Sequence, residues 1–122
     1  MAIHNKLGEE GEKLATAYLQ QKGYRIRHTN WRSGHLELDI VAESLDTLYV
    51  IEVKTRSTAY FEHPKDAITN AKIKRIVHAT EEYIHRFDIH KDIQFDIMAL
   101  LPNKHGTFDI EHIPDAFLAP LS

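Results

Sequence analysis

Three ionisable residues sit where this chain otherwise places apolar ones. Asp39 interrupts the segment Leu36–Glu43, and Glu52 and Lys54 interrupt the run Thr47-Leu48-Tyr49-Val50-Ile51-Glu52-Val53-Lys54. Both segments otherwise read as buried strand. Charge inside an apolar strand is costly unless something offsets it. Two carboxylates with a lysine beside them are the parts of a metal-dependent site for phosphate chemistry. Magnesium takes one or two carboxylates and completes its shell with water and phosphate oxygens. Such a cation acts as a Lewis acid and binds hydroxide. A neighbouring lysine orients or deprotonates the attacking water, or neutralises charge developing on the phosphate.

A hairpin must bring these groups together. A symmetric turn centred on Leu45-Asp46 pairs residues whose numbers sum to 91. Asp39 then faces Glu52, Glu37 faces Lys54 and Val41 faces Val50. Strand alternation puts these six on one face and Leu36, Leu38, Ile40, Ala42, Tyr49, Ile51 and Val53 on the other. A slip of one residue would mix the two sets. Opposed carboxylates repel, and a divalent cation between them removes the repulsion. The competing reading is a polar, solvated outer face, with Glu37–Lys54 an ordinary cross-strand ion pair. The valine pair Val41–Val50 weighs against it, because solvated faces rarely carry paired valines.

The remaining elements follow from periodicity. A helix is predicted over about Lys6 to Lys22, with Leu7, Gly11, Leu14, Ala15, Tyr18 and Leu19 at helical spacing. Gly23 stands just past its end, where a left-handed cap is common. Gly8 and Gly11 fit either close approach to another backbone or a phosphate, or a frayed end. Glu12 lies at the edge of the apolar stripe and either joins the metal site or faces solvent. A strand follows over Tyr24–Thr29, then a turn-rich Asn30–Gly34. After the hairpin and a loop with Pro64, a second helix is predicted from about Lys65 to Phe87. Strands Ile93–Leu101 and Thr107–Ile113 end the series around an Asn103–Gly106 turn. The order α-β-β-β-α-β-β suits an α/β fold, a mixed central sheet of about five strands flanked by helices.

The 122 residues, 43% of them hydrophobic, suit one domain over residues 1–122 with one core. The absence of cysteine excludes disulfides and cysteine-ligated metals. No apolar run approaches the ~20 residues a membrane helix needs, and the first residues lack an apolar signal core. The expectation is a cytoplasmic protein without a membrane partner. Net charge is −3, from 15 Lys and Arg against 18 Asp and Glu. Nucleic-acid binding must therefore rest on local basic patches. The nine histidines form no zinc-binding spacing.

Taken together, Gly8-Glu9-Glu10-Gly11-Glu12, Gly23-Tyr24, Asn30-Trp31-Arg32, Glu37-Leu38-Asp39-Ile40-Val41-Ala42, Val50-Ile51-Glu52-Val53-Lys54-Thr55-Arg56 and Phe95-Asp96-Ile97 resemble the YraN-like family of small predicted endonucleases. The carboxylate and lysine pattern is similar to the PD-(D/E)-x-K nuclease motif. The resemblance implies a restriction-endonuclease-like fold laid out as in archaeal Holliday-junction resolvases. It implies a metal and catalytic site of Glu12, Asp39, Glu52 and Lys54, with Asp39, Glu52 and Glu12 as ligands of Mg²⁺ or Mn²⁺. Lys72 is the candidate for the helical lysine or glutamine that some relatives add. Leu36 departs from the glycine usual there.

The implied activity is hydrolysis of DNA phosphodiesters, with branched or repair substrates suggested by the resolvase likeness. The alternatives are a non-catalytic nucleic-acid- or protein-binding module on the same fold, and an interaction subunit whose acidic face meets a partner. Arg32, Arg56, Lys72, Lys74 and Arg75 are the candidate nucleic-acid contacts, with Arg25, Arg27 and Lys65 as further phosphate contacts. Trp31 either stacks on an unpaired base or closes the core, the latter favoured. A homodimer would place two sites on one duplex.

Overall fold

The computed structural model describes residues 3–55 and 68–119, with side chains from Gly8 onward. Its elements are α1 (Ile3–Gln21), β1 (Arg25–Ser33), β2 (Leu36–Glu43), β3 (Thr47–Thr55), α2 (Asn70–Phe87), β4 (Asp92–Pro102) and β5 (Phe108–Phe117). The five strands form one sheet in the order β1-β2-β3-β4-β5. Only β3 and β4 run parallel, and α2 makes the connection between them. This is the α-β-β-β-α-β-β order and mixed sheet that the sequence predicts, the layout expected of a restriction-endonuclease-like fold.

Local chemistry sets the ends of the elements. Gly23, at φ 94°, takes the left-handed position beyond α1. Thr69 caps α2 by accepting the Lys72 N–H at 3.1 Å. Helix α2 therefore starts at Asn70, and Ile68, expected within it, packs ahead of the cap. Lys65 and the rest of the expected first turn lie outside the described residues, as do Pro64 and Arg56. Strand β1 runs on to Ser33, where a turn was expected. Trp31, Arg32 and Ser33 pair there with Leu38, Glu37 and Leu36, so β2 supplies hydrogen bonds that a turn would forgo.

A helix covers each sheet face. Ala15 and Leu19 of α1 pack on Ile40, Ala42, Ile51, Met98 and Leu100. Ile76, Ala79 and Tyr83 of α2 pack on Trp31, Leu38, Val41, Leu48, Val50 and Phe95. Leu14, expected in the α1 stripe, is exposed. The hairpin register is as predicted, with Ile40↔Ile51, Val41↔Val50, Ala42↔Tyr49 and Glu43↔Leu48 all summing to 91. The predicted division of faces is not. Leu36 and Leu38 pack with α2, whereas Ile40 and Ala42 pack with α1. The alternation of β2 thus inverts at Asp39. Asn30, level with Asp39 between the Thr29–Ile40 and Trp31–Leu38 pairs, has φ 52°. The two strands change face together at that step. The solvated-face reading also fails, since Val41 and Val50 are fully buried under α2.

Candidate active site

The site forms where the β2–β3 hairpin leaves its ladder. Main-chain pairing ends at Ile40–Ile51. One step further, Asp39 Oδ2 accepts the Val53 N–H at 2.9 Å. A side-chain carboxylate takes the place of a strand carbonyl there, which fixes Asp39 against β3. Glu52 is its neighbour across the hairpin, close enough for the Asp39 charge to act on it. Glu52, on β3, is only 2% exposed.

Helix α1 brings up the third carboxylate. A Cβ on Gly11 would collide with Thr55 Oγ1. The close approach at this glycine is to a side chain and not to another backbone: α1 lies against Thr55 at the end of β3, which would have to shift to admit a Cβ. The next residue, Glu12, is thereby set near Asp39, whose charge raises its pKa, and near Asn30, which opposes that rise. Its Oε1 is buried without a hydrogen-bond partner, a condition that is rare and costly.

All three carboxyls hold their protons more tightly than usual. Burial and then the Asp39 charge push Glu52 up to about 8, against the opposing charges of Lys72 and Lys54. Burial also raises Asp39, although the Val53 N–H and Lys72 oppose it. Burial followed by the Asp39 charge raises Glu12. Proximity of like charges and loss of water are the two causes throughout.

Two lysines border the group. Lys72 Nζ, from the first turn of α2, lies 3.4 Å from Glu52 Oε1. Lys54 is half-buried two residues along β3 and favours the ionised form of Glu52. Among the described residues, no three or more Asp, Glu or His side chains are gathered tightly enough to hold one metal ion. Asp39 and Glu52 meet directly, and Glu12 stands nearby with an unpaired oxygen. A site of two carboxylates suits magnesium, which keeps several waters and takes substrate oxygens as well.

The other predicted residues divide. Lys74 and Arg75 are exposed on α2. Arg32 is exposed and pairs with Glu37 at 3.3 Å. Glu37, predicted opposite Lys54, thus meets its neighbour on β1, consistent with the inversion at Asp39. Arg25 and Arg27, offered as phosphate contacts, converge instead on Glu43, at 3.4 and 3.2 Å. Trp31 is buried against Tyr83 and Phe87 on a strand, the core role of its two alternatives. Asn30 escaped the sequence reading. Its signal was an Asn in a segment read as turn, the residue type most tolerant of positive φ after glycine.

The model of the uncharacterised protein family UPF0102 matches residues 11–100. A UPF0102 protein of Phocaeicola vulgatus is 50% identical over 99% of both chains. One from Bacteroides thetaiotaomicron is 49% identical over 99% of both chains. One from Christiangramia forsetii is 44% identical over 96% of this chain and 98% of its own. Among the described residues, no helix is long and apolar enough to cross a membrane.

Proposed function

The chain belongs to the uncharacterised protein family UPF0102, the YraN-like proteins, and we propose that it is a Mg²⁺- or Mn²⁺-dependent endonuclease hydrolysing phosphodiester bonds of DNA. The observation that carries this reading is the crowding of Glu12, Asp39 and Glu52. Two carboxyls lie out of water and close enough for the charge of Asp39 to raise the pKa of Glu52, and the third keeps an unpaired oxygen. Such an arrangement is unfavourable by itself and is relieved by a hard cation. Asp39 and Glu52 would hold the ion, with Glu12 adding its free oxygen through water. When bound, the ion supplies Lewis acidity and an activated water.

The residues of the chain supply the rest. The Val53 N–H fixes one Asp39 oxygen and so orients the carboxylate. Lys54 provides positive charge where negative charge develops on the phosphate. Lys72 holds Glu52 in place and offsets part of the local acidity. Exposed Lys74 and Arg75 lie on the same helix, two and three residues beyond Lys72, and suit contacts to the strand backbone.

The test is incubation with single-stranded, duplex and branched DNA in Mg²⁺, Mn²⁺ or EDTA. Cleavage that needs metal and is lost in Glu52→Gln and Lys54→Ala supports the nuclease. Binding without cleavage, indifferent to both substitutions, would sink it. That outcome would leave the non-catalytic binding module; the net charge of −3 suits the third reading, an interaction subunit whose acidic face meets a partner, better than a nuclease acting alone.

A further inference from the structure

Beside Glu12, between α1 and β1, the surface dips into a groove of about 350 Å³. Glu12, Lys13, Thr16 and Gln20 line it from the helix, and Thr29 and Asn30 from the strand. Ala17 is the one wholly apolar member. Its volume falls at the small end of ligand sites. Glu12 belongs both to this groove and to the carboxylate group, so whatever occupies the groove lies next to the scissile position. Asn30 is the residue at φ 52° where the strands change face, and it lines the groove together with Glu12. The backbone device that sets Asp39 in the site thus also sets a carboxamide in the groove.

The chemistry of the lining narrows the ligand. Glu9 and Glu12 outweigh Lys13, so a phosphate is disfavoured. Two carboxamides and two hydroxyls offer paired donors and acceptors to a neutral, flat, polar group. Carboxamides are the side chains that match the donor and acceptor edges of bases. Inside a duplex those edges are engaged, and a base must leave the stack before a protein can enclose it.

We propose that this groove receives an unpaired nucleobase adjoining the phosphate held at the carboxylates, so that the substrate is DNA with a single-stranded or flapped segment at the cut. The proposal rests on the nuclease reading and deepens it by naming the substrate class. It assigns Gln20 and Asn30 to specificity and leaves the chemistry to the neighbouring acids.

The test measures binding of the full chain, by fluorescence anisotropy with Ca²⁺ in place of Mg²⁺. The probes are a blunt duplex, the same duplex with a single-stranded flap, and that flap made of abasic nucleotides. The base-bearing flap should bind about 3–10-fold more tightly than the abasic one, the worth of one or two hydrogen bonds. Ala17→Trp, an exposed helix position, fills the groove and should abolish that difference while blunt-duplex binding stays unchanged. Gln20→Ala should reduce it. Equal affinity for the two flaps, or a base preference that survives Ala17→Trp in protein with unchanged circular dichroism, overturns the proposal. Metal-dependent cleavage without base preference removes the groove and spares the nuclease. Groove-dependent base preference without cleavage does the reverse.

Discussion

The β2–β3 hairpin carries a buried carboxylate group at each end, and the two are wired in opposite senses. Near the turn, Glu43 is 7% exposed and receives Lys91 Nζ at 2.8 Å, Arg27 at 3.2 Å and Arg25 at 3.4 Å. The Lys91 hydrogen bond, with Arg27 behind it, holds its pKa below the usual carboxylate range. At the far end Glu52 is 2% exposed, its nearest acid neighbour is Asp39, and burial and then that charge raise its pKa to about 8. The ends differ both in depth of burial and in the supply of positive charge. The first end is complete within the chain. The second is short of positive charge, the condition of a site that awaits a ligand.

The sharpest way to break this contrast is to remove one carboxylate from each end. Glu52→Gln should lower metal-dependent cleavage by roughly 10²–10⁴-fold, the range for losing a group that acts in the reaction. Without metal, at pH 7, the same variant should be more stable than wild type, since folding no longer requires a buried carboxyl to take up a proton. Glu43→Ala should do the opposite. It takes from Arg27 and Lys91 the one acidic acceptor they share, leaving Tyr83 and the Ser44 carbonyl, and should cost about 1–3 kcal/mol in urea unfolding. Its cleavage rate per folded molecule should stay near wild type. Loss of activity and loss of stability in the same variant would erase the distinction.

Lys72 tests whether the deficit at the second end is finely set. It is the α2 cation paired with Glu52. Lys72→Met should push the Glu52 pKa higher still and weaken metal binding by roughly 10–100-fold, as for a group that orients a ligand. Titration of Mn²⁺ by calorimetry would register it. Unchanged affinity would mean that the Lys72–Glu52 pair is incidental to the ion.

The two ends should also separate by pH. For Glu52 the folded value, about 8, exceeds the ordinary 4.5. Between these values the folded chain holds a proton that the unfolded chain has lost. The contribution is full below pH 4.5 and disappears as pH rises through 8. Asp39 and Glu12 are shifted in the same direction. Glu43, with its lowered value, stabilises above 4.5 and loses that contribution as pH falls through its folded value. In EDTA the urea midpoint should therefore fall from pH 5 towards pH 8, and Glu52→Gln should flatten that slope. Saturating Mg²⁺ should flatten it as well, by favouring the ionised carboxylates. A midpoint that rises across this window would contradict the electrostatics of the site.

Part of this was legible in the chain. A charge inside an apolar strand marked Asp39, Glu52 and Lys54, and turn arithmetic gave the register from Ile40 to Glu43. The same signal applies to Asp96, within Ile93–Leu101, and there it marks no acid cluster. Asp96 is fully buried and satisfied by Gln94, His112 and the Asp115 N–H. Those donors lie 2, 16 and 19 residues away, so sequence could not tell the two kinds of buried acid apart. Nor could it reveal the inversion at Asp39, because strict alternation was assumed for every strand step. The inversion depends on the left-handed Asn30 on a neighbouring strand. The helix–strand contact was half legible: Gly11 was noticed, but its neighbour Thr55 was set by packing.

The smallest expected effect lies on the surface outside both ends. Arg32 and Glu37 form an exposed pair, with side chains 72% and 40% accessible, and such pairs add little to stability. Arg32→Ala should leave the urea midpoint within experimental scatter. If Arg32 meets a DNA phosphate, the slope of log affinity against log salt should fall by ~1. The same change should follow Lys74→Ala and Arg75→Ala, each exposed on α2. Arg27→Ala is the internal control, since its guanidinium is spent on Glu43 and Tyr83. It should cost stability and leave the salt slope alone. A slope that responds to Arg27 and not to Arg32, Lys74 or Arg75 would move the DNA path to the Glu43 end, where the cations are already committed.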